Sequence, residues 1–357
     1  MSRGNFCFIC GRGGRGVSGA LGVCADCLRQ GHPEAHARAR AVQAGSRAEF
    51  GLPAEPPRHP DGVPCPLCAN ECRIAEGERG YCGLRTVREG RLIHLAGTPS
   101  RGLLHWYRDP LPTNCVADWV CEGHKRAGYH NLAVFYASCS ANCLFCQNWH
   151  FRQLSPEGSE LVSAEELAAV ANARTFCVCY FGGDPATQMP HALAASKRLA
   201  ARGVRICWET NGMMHPKLLD AAVEYSLQSG GCIKFDLKAY DEGLHLALTG
   251  VSNRRTLENF ARAARRSLER PEPPLVVAST LLVPGYVDAQ EVGRIARYIA
   301  ALNPQIPYAL LAFAPNFYLS DLPCTSARQA LAAEEAARQA GLSNIHVGNR
   351  HLLGWGG

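Results

Sequence analysis

Eighteen of the 357 residues are cysteine, and most of them fall in short, regular groups, which restricts this chain more than any other feature. The group Cys139-Ser-Ala-Asn-Cys143-Leu-Phe-Cys146 places three thiols in one loop, directly after an apolar run, Leu132 to Ala137, that reads as a buried strand. At roughly 3.3–3.6 Å per extended residue, all three sulfurs can reach one cluster. A cubane iron–sulfur cluster has four irons and normally takes four cysteines, so three ligands leave one iron open. The plainer alternative is a zinc knuckle that uses only Cys143 and Cys146.

Two further groups offer four thiols each. Cys7, Cys10, Cys24 and Cys27 form two Cys-x2-Cys knuckles around the glycine-rich Gly11 to Gly16. Four soft thiolates satisfy a tetrahedral zinc and leave no open position, and a segment this small needs a metal to stay folded. A rubredoxin-like iron is the redox alternative. Cys65, Cys68, Cys72 and Cys82 form a second closed set, for zinc or an auxiliary iron–sulfur cluster; the spacing does not decide between them, and zinc is slightly preferred.

The stretch from Met1 to Cys10 lacks an apolar signal region, and no run of about 18 apolar residues exists to cross a bilayer. A cytosolic chain is therefore expected, in which thiols stay reduced and bind metal rather than pair as disulfides. A net charge of +6 is compatible with an acidic partner or a nucleotide. It comes without a basic stripe interleaved with aromatics, which argues against a dedicated nucleic-acid binder.

From Asn131 onward, candidate strands alternate with helices, the pattern of a parallel sheet with helical crossovers. The strands are expected at Asn131 to Ala137, Phe176 to Phe181, Arg205 to Glu209, Cys232 to Leu237, Leu275 to Val283 and Tyr308 to Phe313. Ser163 with Glu166 and Asp288 with Glu291 read as capping boxes that open helices. Leu257, Phe260, Ala261, Ala264 and Leu268 recur at helical spacing, beside arginines that read as a solvated face. The expected fold is α/β, a partial (β/α)6 TIM-type barrel with a small Cys-rich metal-binding N-terminal region. Its parts are a knuckle module at 1–30, a linker at 31–64 with a short helix over Pro33 to Gln43, a Cys-rich leader at 65–130, the barrel at 131–350 and a tail at 351–357. Cys115 and Cys121 read as a buried thiol pair near the barrel mouth, with a metal site shared with His124 as the alternative, and Cys177, Cys179, Cys207 and Cys232 as core thiols. Cys324, in a loop before the last helix, is a minor candidate for a hydrogen donor or an extra ligand.

Functional residues of such barrels gather at the C-terminal ends of strands. Here those ends carry Gly182-Gly183-Asp184-Pro185, Glu209-Thr210-Asn211-Gly212 and Lys234-Phe-Asp236-Leu-Lys238. Together with Cys139-x3-Cys143-x2-Cys146, this ordered set resembles the radical S-adenosylmethionine (radical SAM) superfamily. The leader from Cys65 to Arg85 is similar to that of radical SAM proteins of the AmmeMemoRadiSam group and of relatives of pyruvate formate-lyase-activating enzyme. The resemblance covers about Cys65 to Val347, and the knuckle at Cys7 to Cys27 lies outside it.

What the resemblance implies is a 4Fe–4S cluster on Cys139, Cys143 and Cys146 whose open iron holds S-adenosylmethionine. Gly182, Gly183, Asp184 and Pro185 match a GGEP motif that holds the cofactor's amino group, with a shorter acid here. Thr210, Asn211, Asp236 and Lys238 match further cofactor contacts, Lys238 toward the methionyl carboxylate and Asp236 toward hydroxyl or ammonium groups. In the relatives a late strand ends in a histidine, where this chain has Ala314, so either Asn316 or nothing takes over that contact. Gly285, in Leu282-Val-Pro-Gly-Tyr286, is expected to pass the chain around the cofactor. The implied reaction is reductive cleavage of S-adenosylmethionine followed by hydrogen abstraction from a protein or peptide, as in a glycyl-radical activase. Its electrons come from a flavodoxin or ferredoxin. The alternatives are modification or methylation of a small molecule, nucleotide or lipid, and, in a different class, a non-enzymatic zinc- and iron-binding module.

Overall fold

The structure, a computed structural model, describes residues 5–113 and 115–354, so the first four residues of the expected module and the last three of the expected tail lie outside it. Its N-terminal module carries α1 (Ala25–Arg29) and leads into α2 (Pro33–Ala48). The leader adds two short antiparallel pairs, β1 (Val63–Pro64) with β2 (Arg73–Ile74) and β3 (Arg85–Arg88) with β4 (Arg91–His94). The main sheet contains β5 (Leu104–Pro110), β6 (His130–Tyr136), β7 (Thr175–Phe181), β8 (Arg205–Thr210), β9 (Ile233–Asp236), β10 (Val276–Leu282), β11 (Tyr308–Ala312) and β12 (Ile345–Gly348). They lie side by side in reverse chain order from β12 to β5, all parallel except the β5–β6 pair. Both ends of the sheet are free, so the barrel is partial.

The crossovers are α3 (Ala164–Ala169), α4 (Met189–Ala200), α5 (Pro216–Ser229), the pair α6 (Glu242–Thr249) and α7 (Arg254–Ala264), α8 (Ala289–Leu302) and α9 (Ala327–Gln339). Strand alternation separates the two faces of the sheet. In β8, Ile206, Trp208 and Thr210 are buried under the helices, while Cys207 and Glu209 point inward and stay half-buried. Each buried Val, Leu or Ile of the outer layer contributes about 1.5–3 kcal/mol, so the helical coat holds the sheet in shape. The inner face is left free for a chamber.

All six expected strands are present within one residue at each end. Two more join them. β5 runs antiparallel along the whole of β6, from Leu104 opposite Tyr136 to Pro110 opposite His130, and β12 extends the other edge beside β11. The helix expected to stop at Gln43 continues to Ala48, because Gln43, Ser46 and Arg47 are themselves buried against the body, so this part of the expected linker is packed structure.

Ser163 and Glu166 form both bonds of their capping box. Asp288 caps α8, but the Glu291 carboxylate turns away and accepts from the backbone N–H of Tyr240 (2.6 Å) and Asp241 (2.8 Å) instead of closing a box. On α7 the buried face is Thr256, Asn259, Phe260, Ala263 and Ala264, and Leu268 is exposed. Its arginines pair outward, Arg254 with Glu242, Arg255 with Glu71 and Arg262 with Asp220. Such pairs are worth about 0–1 kcal/mol each and read as a solvated face.

The N-terminal module sits on the flank of the barrel next to α8. The Tyr286 hydroxyl accepts from Ser18 N–H (3.1 Å), and Arg29 pairs with Asp288 (3.0 Å). Gly285 has φ +78°, and a Cβ there would lie 1.9 Å from the carbonyl oxygen of Gly16. The expectation that Gly285 passes around a cofactor is thus corrected: its lack of a side chain lets the module touch the barrel backbone to backbone.

Candidate functional site

The loop after β6 carries Cys139, Cys143 and Cys146, and all three line one chamber of ≈560 Å³ at the C-terminal ends of the parallel strands. The loop is anchored from several sides. Asn142 N–H donates to Thr249 O (2.7 Å) and Leu144 N–H to Leu248 O (2.9 Å), which ties it to α6. The Asn142 amide also donates to Gln43 Oε1 and Ser46 Oγ, both at 2.7 Å, so α2 braces the loop from behind. From the leader, Asn70 Nδ2 donates to Ser140 O (2.8 Å), while Ser138 Oγ donates to Cys82 O (2.9 Å).

Among the described residues, only the group at Cys7, Cys10, Cys24 and Cys27 has three or more metal-ligating atoms all within 4.8 Å of one another. Its Cys7–Cys27 and Cys10–Cys24 sulfurs are each 3.7 Å apart. A tetrahedron of thiolates at ~2.3 Å from one ion has edges of ~3.8 Å, so this group fits a single ion. Cys139, Cys143 and Cys146 share a wall at wider spacing. That donor set suits a polynuclear iron–sulfur group and does not form a knuckle around one ion. Cys65, Cys68, Cys72 and Cys82 are also not drawn to single-ion spacing, which among the two expected occupants, zinc and an auxiliary cluster, is the spacing zinc would need. They lie where the leader meets the β8–α5 turn, with Ala69 N–H donating to Met213 O (2.8 Å).

The strand-end motifs surround the same chamber, yet several of their side chains are engaged within the protein. A Cβ on Gly182 would meet Phe135 at 2.4 Å, and one on Gly183 would meet Ser138 O at 2.2 Å. Both glycines are therefore required by the close approach of β6 and the cysteine loop. Asp184 is buried, and its carboxylate accepts from Asn211 N–H (2.6 Å), Ala186 N–H (2.7 Å) and Thr210 Oγ1 (3.1 Å). Burial pushes its pKa up to about 6 against the pull of these donors. Pro185 begins the short helical turn that follows.

Thr210 and Asn211 extend this network toward the loop. Asn211 Nδ2 donates to Ser140 Oγ (3.0 Å) and faces Cys139 Sγ at 3.7 Å. Asp184, Thr210 and Asn211 thus brace the chamber wall beside Cys139. Lys238 and Asp236 also line the chamber, where they form an ion pair with each other. Burial alone would lower the Lys238 pKa, but Asp236 and the nearby Cys143 hold it above its ordinary range.

Asn316 does not take the place of the expected histidine: its side chain accepts from Phe317 N–H (2.8 Å) and caps a short turn. A histidine reaches the chamber from elsewhere. His346 on β12 lines it and stacks on Trp119, with ring centroids 5.0 Å apart. Arg152 lines it too, is buried, and makes no ion pair with a carboxylate among the described residues. A basic residue six positions after Cys146 was the available signal for Arg152, whereas four-residue β12 offered little periodicity from which to find His346. Cys324 lies outside the residues that line the chamber.

The profile described as the Radical SAM superfamily matches residues 133–299. The isethionate sulfite-lyase activating enzyme of Oleidesulfovibrio alaskensis is 28% identical over 258 residues, covering 70% of this chain and 75% of that protein. An uncharacterized protein of Methanocaldococcus jannaschii is 25% identical, covering 80% of this chain and 81% of its own length. The pyruvate formate-lyase 1-activating enzyme of Escherichia coli is 27% identical, covering 43% of this chain and 62% of that enzyme. Among the described residues no helix is long and apolar enough to cross a membrane.

Proposed function

We propose that this chain, whose residues 133–299 match the Radical SAM superfamily profile, cleaves S-adenosylmethionine reductively and abstracts hydrogen from a protein or peptide. The observation that carries this reading is the placement of Cys139, Cys143 and Cys146 on one wall of the ≈560 Å³ chamber, at wider than single-ion spacing. The domain implies a 4Fe–4S cluster and S-adenosylmethionine, which when bound supply a 5′-deoxyadenosyl radical for hydrogen abstraction.

The chain's own residues divide the remaining work. Cys139, Cys143 and Cys146 hold the cluster. Lys238 and Arg152, the cations that line the chamber, would offer charge to the methionyl carboxylate, and Asp236 would offer an acceptor. Gly182 and Gly183 bring the β7 end close, while Asp184, Thr210 and Asn211 fix the wall against which the cofactor lies. Names of relatives that activate other enzymes support a macromolecular substrate. The electron donor is read as a flavodoxin or ferredoxin at about −400 mV.

In the N-terminal module the 3.7 Å sulfur separations support zinc on Cys7, Cys10, Cys24 and Cys27. The looser Cys65, Cys68, Cys72 and Cys82 set reads as an auxiliary iron–sulfur site. Anaerobic protein is then expected to hold about eight irons per chain rather than about four.

Mass spectrometry after anaerobic reduction tests the central claim. Release of 5′-deoxyadenosine from S-adenosylmethionine is expected, and its loss in Cys146→Ala ties it to the loop. Accumulation of S-adenosylhomocysteine instead would favour methyl transfer, and neither product would end the proposal.

A further inference from the structure

The chamber continues inward to a floor for which the proposed reaction has no use. There, alternate residues of β7, β8 and β9 place Cys179, Glu209 and Lys234 on the inner face, and the segment after β5 brings Cys115 against them. Lys234 Nζ lies 2.8 Å from Cys115 Sγ, 3.1 Å from Cys179 Sγ and 2.7 Å from Glu209 Oε1. Cys115 Sγ is in turn 3.6 Å from Glu209 Oε1. Lys234 is 1% exposed, and sulfur is a weak acceptor for an ammonium donor.

Two ordinary explanations fail. Among the described residues, no three Cys, His, Asp or Glu ligand atoms of this floor lie within 4.8 Å of one another, and the lysine ammonium has no lone pair to give, which argues against one bound ion. The adjoining space, lined also by Cys121, Cys177, Cys207 and Cys232, is only ≈30 Å³, about room for a single water and too little for a cluster. What the geometry does supply is a lysine nitrogen in contact with a cysteine sulfur, with a carboxylate positioned to take a proton.

We propose that Lys234 and Cys115 are a modification site at which dioxygen inserts one oxygen atom to form an Nζ–O–Sγ crosslink. In balanced form, the lysine ammonium, the cysteine thiol and O2 give Lys–NH–O–S–Cys, one water and one proton. Two N–H bonds and the S–H bond break, and N–O and O–S bonds form. Dioxygen takes up four electrons, two from nitrogen and two from sulfur, and the ammonium proton passes to Glu209. Two equivalents of a dithiol reverse the reaction and return water, amine and thiol. The Cys179 thiol, by hydrogen bonding, and then the Lys234 charge hold Cys115 toward its reactive thiolate form. The bridge ties the segment around Cys115 to β9 across the chamber floor, and it does not depend on which substrate the chamber accepts.

The test uses full-length protein purified without oxygen and divided between anaerobic and air-saturated buffer, then alkylated, digested and mapped by mass spectrometry. After air, the peptides holding Lys234 and Cys115 should be joined at their summed mass plus about 14 Da, one oxygen gained and two hydrogens lost. Dithiothreitol should release them, and the anaerobic sample should lack the species. Lys234→Gln and Cys115→Ser should each abolish it. The wild-type map decides the matter even if a variant folds poorly. A Cys115–Cys179 disulfide, a bridge from Lys234 to Cys179, oxidation of Cys115 without Lys234, or free alkylation of Cys115 after air would each overturn the proposal.

Discussion

The thiols of Cys7, Cys10, Cys24 and Cys27 and those of Cys139, Cys143 and Cys146 are built on opposite principles. In the first group the sulfurs converge to 3.7 Å, so a single ion would fill their coordination and leave nothing facing outward. In the second the sulfurs stay apart on a chamber wall, and the protein does the holding through Asn142, Asn70, Asn211 and Ser138. Where metal supplies the fold, the chain can be short and glycine-rich. Where the fold presents metal, the chain must be braced on every side so that one coordination position stays open.

The largest test of this contrast is Cys143→Ala. It should lower 5′-deoxyadenosine release more than about a hundred-fold, since even changes one shell away from a metal cost 10–100-fold. Iron per chain should fall while the ion of the N-terminal module stays, and loss of both would erase the distinction. The converse change, Cys24→Ser with Cys27→Ser, should release the module's ion and with it a folding contribution on the order of 10 kcal/mol local to that module. Limited proteolysis should then cut near Gly11 to Gly16, and 5′-deoxyadenosine release should stay within about threefold, or about 0.7 kcal/mol of barrier.

Acid should separate the two regions as well. His191 is buried beneath the end of β6, hydrogen-bonded to the Tyr136 hydroxyl (2.8 Å) and Val162 O (3.0 Å), and burial lowers its pKa from 6.5 to about 4. The unfolded chain therefore binds the extra proton between those values. Its contribution is present above pH 6.5 and lost as the pH falls toward 4, about 3 kcal/mol in all. Urea titrations across that range should show the loss in the wild type and a flatter profile in His191→Gln. The smallest effect belongs to Asn142→Ala, which leaves Gln43 and Ser46 without their donor and should cost about 1–3 kcal/mol in a melt. A value near zero would show that α2 rests against the loop without bracing it.

How far these features were legible in the sequence follows the range of the interactions that make them. The six barrel strands and the Ser163 cap depend on local periodicity and on contacts three residues apart, and they were readable to within a residue. β5 falls in a stretch, Arg91 to His130, that reads only as short strands and loops, because its pairing with β6 is long-range. The bracing of Asn142 by Gln43 and Ser46 spans 99 and 96 residues and left no local trace, so α2 read as a short helix in a linker. The motif residues that border the chamber were legible as motifs, but their partners were not. Gly182 and Gly183 answer to β6, Asp184 to Asn211 and Ala186, and Glu291 to the turn after β9 instead of its own helix. His346, Arg152 and Lys234 converge on the chamber from distant segments, and only the tertiary fold assembles them.

The meeting of Gly16 with Gly285 has a consequence for how this protein can change over generations. A Cβ at Gly285 would lie 1.9 Å from the Gly16 carbonyl, so position 285 cannot gain a side chain unless the two bodies part, whereas one at Gly16 would meet Gly285 Cα at 3.0 Å and ask only for a small shift. Position 285 should therefore keep its glycine more strictly than position 16. Loss of the small module would remove that contact, but the left-handed backbone of Gly285 (φ +78°) would still hold the position to glycine.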